Sequence, residues 1–275
     1  MEKRYLQLYS INSEIAKDFV AALKRVAEIG YTGVEFAGGN YGGLSAAEMK
    51  KTLANLKLEP ISTHIRADAV LEQLDYAVEL GCKYMIVPSH KIGNYEEALA
   101  AAKYFNELGK ACKDKGLGFG YHNHRFEFLE SKDGTLMDTL ILNSDPDLVC
   151  FQLDVGWATC SGIDAPAFIK KYAGRFKMIH VKECSHVAGP EPQRDFSQYP
   201  RDENGRPIIP EAVRASFREQ AKWNAPAGQG IIDWIAVRDA ALAQGAEAFI
   251  VEREYDYAGD IFKCVEEDCA FLKTL

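Results

Sequence analysis

The chain has 275 residues, 47% hydrophobic and 26% charged, the composition of an ordinary globular protein long enough for one large core. Its 32 Lys and Arg against 40 Asp and Glu leave a formal net charge of −8 with no basic stripe, which disfavours a nucleic-acid partner. No run approaches the ~18 apolar residues needed to span a bilayer, and seven scattered cysteines without a C-x-x-C pair suit a reducing, cytoplasmic setting.

The amino terminus, MEKRYLQLYSINSEI, carries charges at once and reads as no signal peptide, although a chain trimmed of one would read the same. Strand-like apolar runs begin near residues 5, 33, 60, 84, 118, 149, 177 and 248. Segments of helical periodicity lie between most of them, such as SEIAKDFVAALKRVAEIG, LEQLDYAVELG and YEEALAAAKYFNELGKACKDKG. Four of these segments stop at Gly30, Gly81, Gly116 and Gly245, where glycine takes the left-handed backbone that ends a helix. Eight strand-helix-glycine units predict a single-domain α/β chain, a (β/α)8 TIM barrel, rather than an open doubly wound sheet. One interval breaks the rhythm. The stretch from about 184 to 232 is rich in Pro, Gly, Arg and Asp, contains a helix-like EAVRASFREQAKW, and reads as a lid-like insertion; an oligomer contact or an irregular loop are the alternatives.

Four runs end on a residue that can hold a metal: His122 after GFGY, Asp154 after VCFQL, His180 after FKMI and Glu252 after AFIV. A side chain just past a buried parallel strand stands at its carboxyl end, where such barrels house their chemistry. Singly, each has a structural reading: His180 a satisfied core histidine, Asp154 a helix cap, Glu252 a partner of Arg253 or Lys182. Together they make a first shell for one divalent cation, Mn, Zn or Co by their mixed nitrogen and oxygen donors, with Mg also open. Earlier strand ends add Glu35, His64 and His90, and the loop after Asp154 adds Trp157; these are expected to face the mouth as substrate-binding groups, with capping and core packing as the alternatives.

The blocks LDVGW, MIHVKE, GQGIIDW and FIVERE resemble the sugar phosphate isomerase/epimerase superfamily, the xylose isomerase-like TIM barrels. The resemblance spans the chain in architecture, with its specific motifs in residues 118 to 256. In that superfamily strands five to eight supply Glu, Asp, His and Glu, and Asp154, His180 and Glu252 match by position. The first position departs: Tyr121-His122-Asn123-His124 is similar to the Y-H-x-H of inosose-dehydratase-like members. Ketose epimerases use two carboxylates on opposite faces of the substrate, so this departure puts two-base epimerisation in doubt. His124 or Glu127 is left to take the missing role.

The chemistry expected is common to these relatives. A cation bridging a carbonyl and its neighbouring hydroxyl acidifies the α carbon-hydrogen bond, Glu252 is the candidate base, and Lys182, on the same side of its strand as His180, is placed to stabilise the resulting enediolate. A surface lysine pairing Glu183 is the alternative for Lys182. The leading expectation is a metal-dependent isomerase or epimerase acting on a sugar or sugar phosphate, with a keto-sugar dehydratase or glycoside-eliminating lyase next. A non-catalytic sugar-binding barrel comes third, and a DNA-repair endonuclease fits poorly with six histidines and an acidic balance. The partner is a small-molecule sugar or keto-sugar, with neither nucleic acid nor membrane, and a homo-oligomer stays open.

Overall fold

The computed structural model describes residues 1–202 and 207–275. Eight parallel strands close into a barrel: β1 Tyr5–Gln7, β2 Gly33–Phe36, β3 Glu59–His64, β4 Tyr84–Val87, β5 Gly118–His122, β6 Cys150–Asp154, β7 Phe176–Val181 and β8 Ala248–Val251. Each pairs with its neighbours in chain order, and β8 closes on β1 through Tyr5 opposite Ile250. The single-domain (β/α)8 expectation holds, with strand starts within a residue of those read from the apolar runs. Strands this short work because both faces are buried, one against the helices and one inside the barrel.

Two helix ends show how the repeating unit closes. Helices Phe19–Ile29 and Val70–Leu80 end directly on Gly30 and Gly81, with φ of 108° and 95°. Helix Ala46–Leu56 ends instead on Lys57 at φ 58°, a strained left-handed residue without the glycine signature.

The barrel interior is layered. Tyr5, Ile61, Ile86, Met178, Ala248 and Ile250 form an apolar floor separate from the main core between strands and helices. Above it, toward the carboxyl ends of the strands, Gln7, Glu35, Ser62, His64, His122, Gln152, Asp154, His180 and Glu252 are buried polar or charged side chains. The insertion begins with Glu183–Cys184, which pairs antiparallel with Asn224–Ala225, and includes helix Glu211–Ala221. Residues 203–206 of it lie outside the described residues. Glu183 ties the return: its carboxylate accepts from the backbone N–H groups of Cys184, Gly228 and Ile232 and from Trp234 Nε1. Among the described residues, no helix is long and apolar enough to cross a membrane.

Candidate metal centre

Strand register brings the four residues together. Asp154 on β6 lies opposite His180 on β7, which lies opposite Ile250 two residues before Glu252. His122 ends β5, and period-two alternation turns it inward beside Asp154. One donor atom from each of His122, Asp154, His180 and Glu252 fits within 4.8 Å of the others, and all four side chains are buried. Asp154 does two jobs: Oδ1 caps helix Val155–Cys160 by accepting from Trp157 N at 2.8 Å, and Oδ2 faces the cluster.

A layer of side chains beneath the four fixes their orientation. Gln152, two residues before Asp154 on the same strand face, donates from Nε2 to Glu35 Oε2 at 2.7 Å. A carboxylate only accepts, so Gln152 Oε1 must be the acceptor toward His122 Nδ1 at 3.0 Å and His64 Nε2 at 2.7 Å. His122 is thereby held as the Nδ1–H tautomer, and its Nε2 lone pair points toward Asp154 Oδ2, 3.9 Å away. In the same way His180 Nε2 meets Glu35 Oε1 at 2.7 Å, leaving Nδ1 toward Glu252 Oε2 at 3.3 Å.

The electrostatics of the cluster suit a bound cation. Asp154 Oδ2 is enclosed without a hydrogen-bond partner among the described residues, its nearest cation being Lys182 Nζ at 3.3 Å. Burial pushes its carboxyl up to about 6 even though Lys182 pulls it down. Burial lowers His180 by itself, but Glu35 and Glu252 around it raise it to about 10, so without a metal it holds a second proton. Burial and the neighbouring His180 and His64 hold His122 well below the usual imidazole range, leaving it neutral and able to ligate. Two imidazoles and two carboxylates, one of which has an oxygen without a hydrogen-bond partner among the described residues, form a group that could hold a divalent cation.

Around this centre the expected residues fall into two groups. Lys182 is buried and bridges Asp154, Glu252 Oε2 at 2.9 Å and Glu254 Oε1 at 2.8 Å, with its ammonium 4.7 Å from the Trp157 ring centroid. It does not pair with Glu183. His124 and the half-buried Trp157 stand beside the cluster, ring centroids 6.3 Å apart, with His124 5.2 Å from His122. His124 Nδ1 and Trp157 Nε1 are enclosed without hydrogen-bond partners among the described residues. Burial and Lys182 push His124 down to about 4, so it is a neutral imidazole.

The remaining expectations need correction. Glu35 does not face the mouth: it is fully buried one layer below, and its carboxylate is taken up by Gln7, Ser62, Gln152, His64 and His180. Burial alone would raise it, but His64 and His180 pull it well below the usual carboxylate range, so it is a fixed anion that orients imidazoles. His64 belongs to that layer as well, its Nε2 committed to Gln152 and Glu35. His90, beyond the end of β4, packs on Tyr104 and Phe105 and lines a cavity of about 590 Å³ with Arg66, Lys91, Gln193 and Arg194. Glu127 is unavailable as a replacement base, because Oε1 accepts from the Tyr121 hydroxyl at 2.5 Å and Oε2 from His124 N at 2.8 Å.

The insertion leans on the same rim. Arg125, next to His124, donates to Gly189 O and lies 4.9 Å from the Trp223 ring centroid, while Gln193 Nε2 donates to His90 O at 2.9 Å. Sequence reading missed Gln7, Ser62, Gln152 and Glu254. The signal available for Gln152 was a polar residue inside an apolar run, two places before a candidate ligand.

The barrel agrees with the comparisons to known proteins. The chain belongs to the xylose isomerase-like TIM barrel family, whose model matches residues 23–275. An inosose dehydratase of Clostridium perfringens is 30% identical over 143 residues, covering 46% of this chain and 48% of that protein, so the chain spans about half the length of this relative. A sugar phosphate isomerase/epimerase structure from Parabacteroides distasonis has 25% identity and a TM-score of 0.77, over 99% of this chain and 94% of that one. The IolI protein, solved with a zinc atom, shares the fold at 13% identity and a TM-score of 0.70, over 99% and 97% of the two chains. Among these similar proteins are thus an inosose dehydratase and a sugar phosphate isomerase/epimerase.

Proposed function

We propose that this protein is a divalent-metal-dependent enzyme that removes the proton beside the carbonyl of a keto-sugar and completes an elimination, a dehydratase or lyase. The observation that supports it is the tautomer-locked His122 where epimerases carry a glutamate. With Nδ1–H committed to Gln152 and Nε2 aimed at the cluster, that position offers no proton acceptor to the second face of a substrate. One-base chemistry is what remains, and the inosose dehydratase relatives lean the same way.

His122 Nε2, Asp154 Oδ2, His180 Nδ1 and Glu252 would hold the metal, and when bound it polarises a carbonyl and its neighbouring hydroxyl. Lys182 and His180 both meet Glu252 on Oε2, which leaves Oε1 to take the α proton. Lys182 keeps Glu252 ionised and places an ammonium where negative charge develops on the substrate oxygen. His124, neutral and with an open Nδ1, accepts a hydrogen bond from a substrate hydroxyl, and the Trp157 ring walls the same side. The electron pair left on carbon expels the β substituent, which departs with the proton held by Glu252.

An aldose-ketose isomerase is the second reading, since it too needs a single base, and the 25% identical Parabacteroides structure is a sugar phosphate isomerase/epimerase. Incubation in deuterium oxide with ketoses, keto-inositols and 3-keto-glycosides separates them. Release of water or an aglycone supports the lyase, whereas deuterium in a recovered isomer selects the isomerase. Turnover without metal and with Glu252→Gln fully active would refute both.

A further inference from the structure

Three carboxylates, not two, surround the Lys182 ammonium. Asp154 Oδ2 and Glu252 Oε2 belong to the metal cluster, while Glu254 Oε1, at 2.8 Å, does not. The ammonium touches the oxygens that a divalent cation would also claim. At such separations two positive charges in a buried site repel strongly, and a lysine held only by ligand carboxylates would compete with the metal.

Glu254 gives the ammonium a partner that lies outside the metal cluster. Its side chain is 24% exposed and lines a cavity of about 530 Å³ with Tyr9, Ser10 and Arg253, and none of the metal cluster's four residues lines that cavity. Its backbone N–H donates to Asn224 Oδ1 at 3.4 Å, and the adjacent Arg253 is clamped by Asp268, which fixes the segment carrying Glu254. We propose that Glu254 is a positioning residue that holds Lys182 by a carboxylate outside the metal cluster, so that the ammonium keeps a partner when a divalent cation takes Asp154 and Glu252 and both charges occupy one site together. This rests on the metal-centre reading above.

The test is Co(II) titration of the metal-free full chain by calorimetry and by the cobalt visible spectrum. Replacing Glu254 by Gln should weaken Co(II) binding by about tenfold or more, because the lysine then falls back on the ligand oxygens. Lys182→Met should tighten binding, and the double variant should bind at least as well as wild type. Glu254→Asp, which keeps the charge, should stay within a few-fold of wild type and serves if the Gln variant does not fold. Unchanged affinity in Glu254→Gln, no tightening in Lys182→Met, or a double variant as weak as Glu254→Gln would overturn the assignment. A wild-type chain that binds no Co(II) would instead remove the metal centre itself.

Discussion

Replacing Gln152 by Leu tests whether the buried layer, rather than the ligands alone, makes the site. Leucine has similar bulk but neither accepts nor donates. His122 Nδ1–H, at 3.0 Å from Gln152 Oε1, would lose its partner, while His64 keeps Glu35 at 3.1 Å and Glu35 Oε2 keeps Ser62 at 2.6 Å. One orphaned buried donor costs about 1–3 kcal/mol and each of two weakened contacts about 1 kcal/mol, giving about 3–5 kcal/mol in all. Against a typical stability of about 5–15 kcal/mol this is large, and urea unfolding of the metal-free protein would read it directly. Because His122 would lose its enforced tautomer, Co(II) affinity should also fall by about 10–100-fold. Gln152→Glu is the informative contrast. It keeps an acceptor for both imidazoles but sets a carboxylate where the amide donated to Glu35 at 2.7 Å, so it must hold a proton and should be least disruptive at acid pH. A Gln152→Leu protein with unfolding within about 0.5 kcal/mol of wild type and unaltered Co(II) affinity would refute the reasoning.

Other expectations follow from the same geometry. Asp154→Ala and His180→Ala should each abolish stoichiometric metal by elemental analysis, and full metal content in both would remove the site. Glu252→Gln should lower turnover by about two to four orders of magnitude if it is the base, read as kcat on whichever keto-sugar reacts. Arg125→Ala frees Gly189 O and uncovers Trp223, so limited proteolysis should cut the 185–200 stretch faster while the barrel stays intact; an unchanged cleavage pattern would show that the insertion is held elsewhere. Burial raises Glu127 to about 7, above its unfolded value, so the folded state holds the extra proton and stability should fall as pH rises from about 4.5 through 7; Glu127→Gln should flatten that slope, by up to about 3 kcal/mol, in unfolding measured at pH 5 and pH 8.

The candidate ligands were legible because a parallel strand buried on both faces must be an apolar run, and the polar residue that ends such a run stands at the carboxyl end of the barrel. That rule finds His122, Asp154, His180 and Glu252 together. It misreads residues displaced from the end by a step or two. Glu35 precedes the end of β2 by one residue and enters the barrel a layer too deep, while His90 follows Pro88 beyond β4, where strand alternation no longer sets direction and the ring turns onto Tyr104. The orienting layer was invisible for a further reason. Gln7, Ser62 and Gln152 converge on one carboxylate from three separate strands, and only closure of the barrel puts them within reach of each other. Lys57 shows the same limit on the outside, since a non-glycine residue at φ 58° leaves no mark in the pattern that predicts helix ends.

Charge balance explains why an imidazole at position 122 is more than a tolerated exchange. With Asp154 and Glu252 ionised and both imidazoles neutral, a divalent cation would make the centre formally neutral, leaving Lys182 to pair with Glu254 and Glu35 to be satisfied by the donors beneath. A glutamate in place of His122 would add one negative charge and lessen the cation's pull on electrons at a substrate carbonyl. It would also lack the N–H that Gln152 now accepts, and so break the chain of contacts from His122 through Gln152 to Glu35. The substitution His122→Glu is therefore predicted to keep the ligand count yet loosen the layer below, with metal retained at lower affinity and unfolding at lower urea. If metal binding and stability both match wild type, the imidazole is incidental, and gain of proton exchange on a second face of a ketose would then show that one residue separates one-base from two-base chemistry in this barrel.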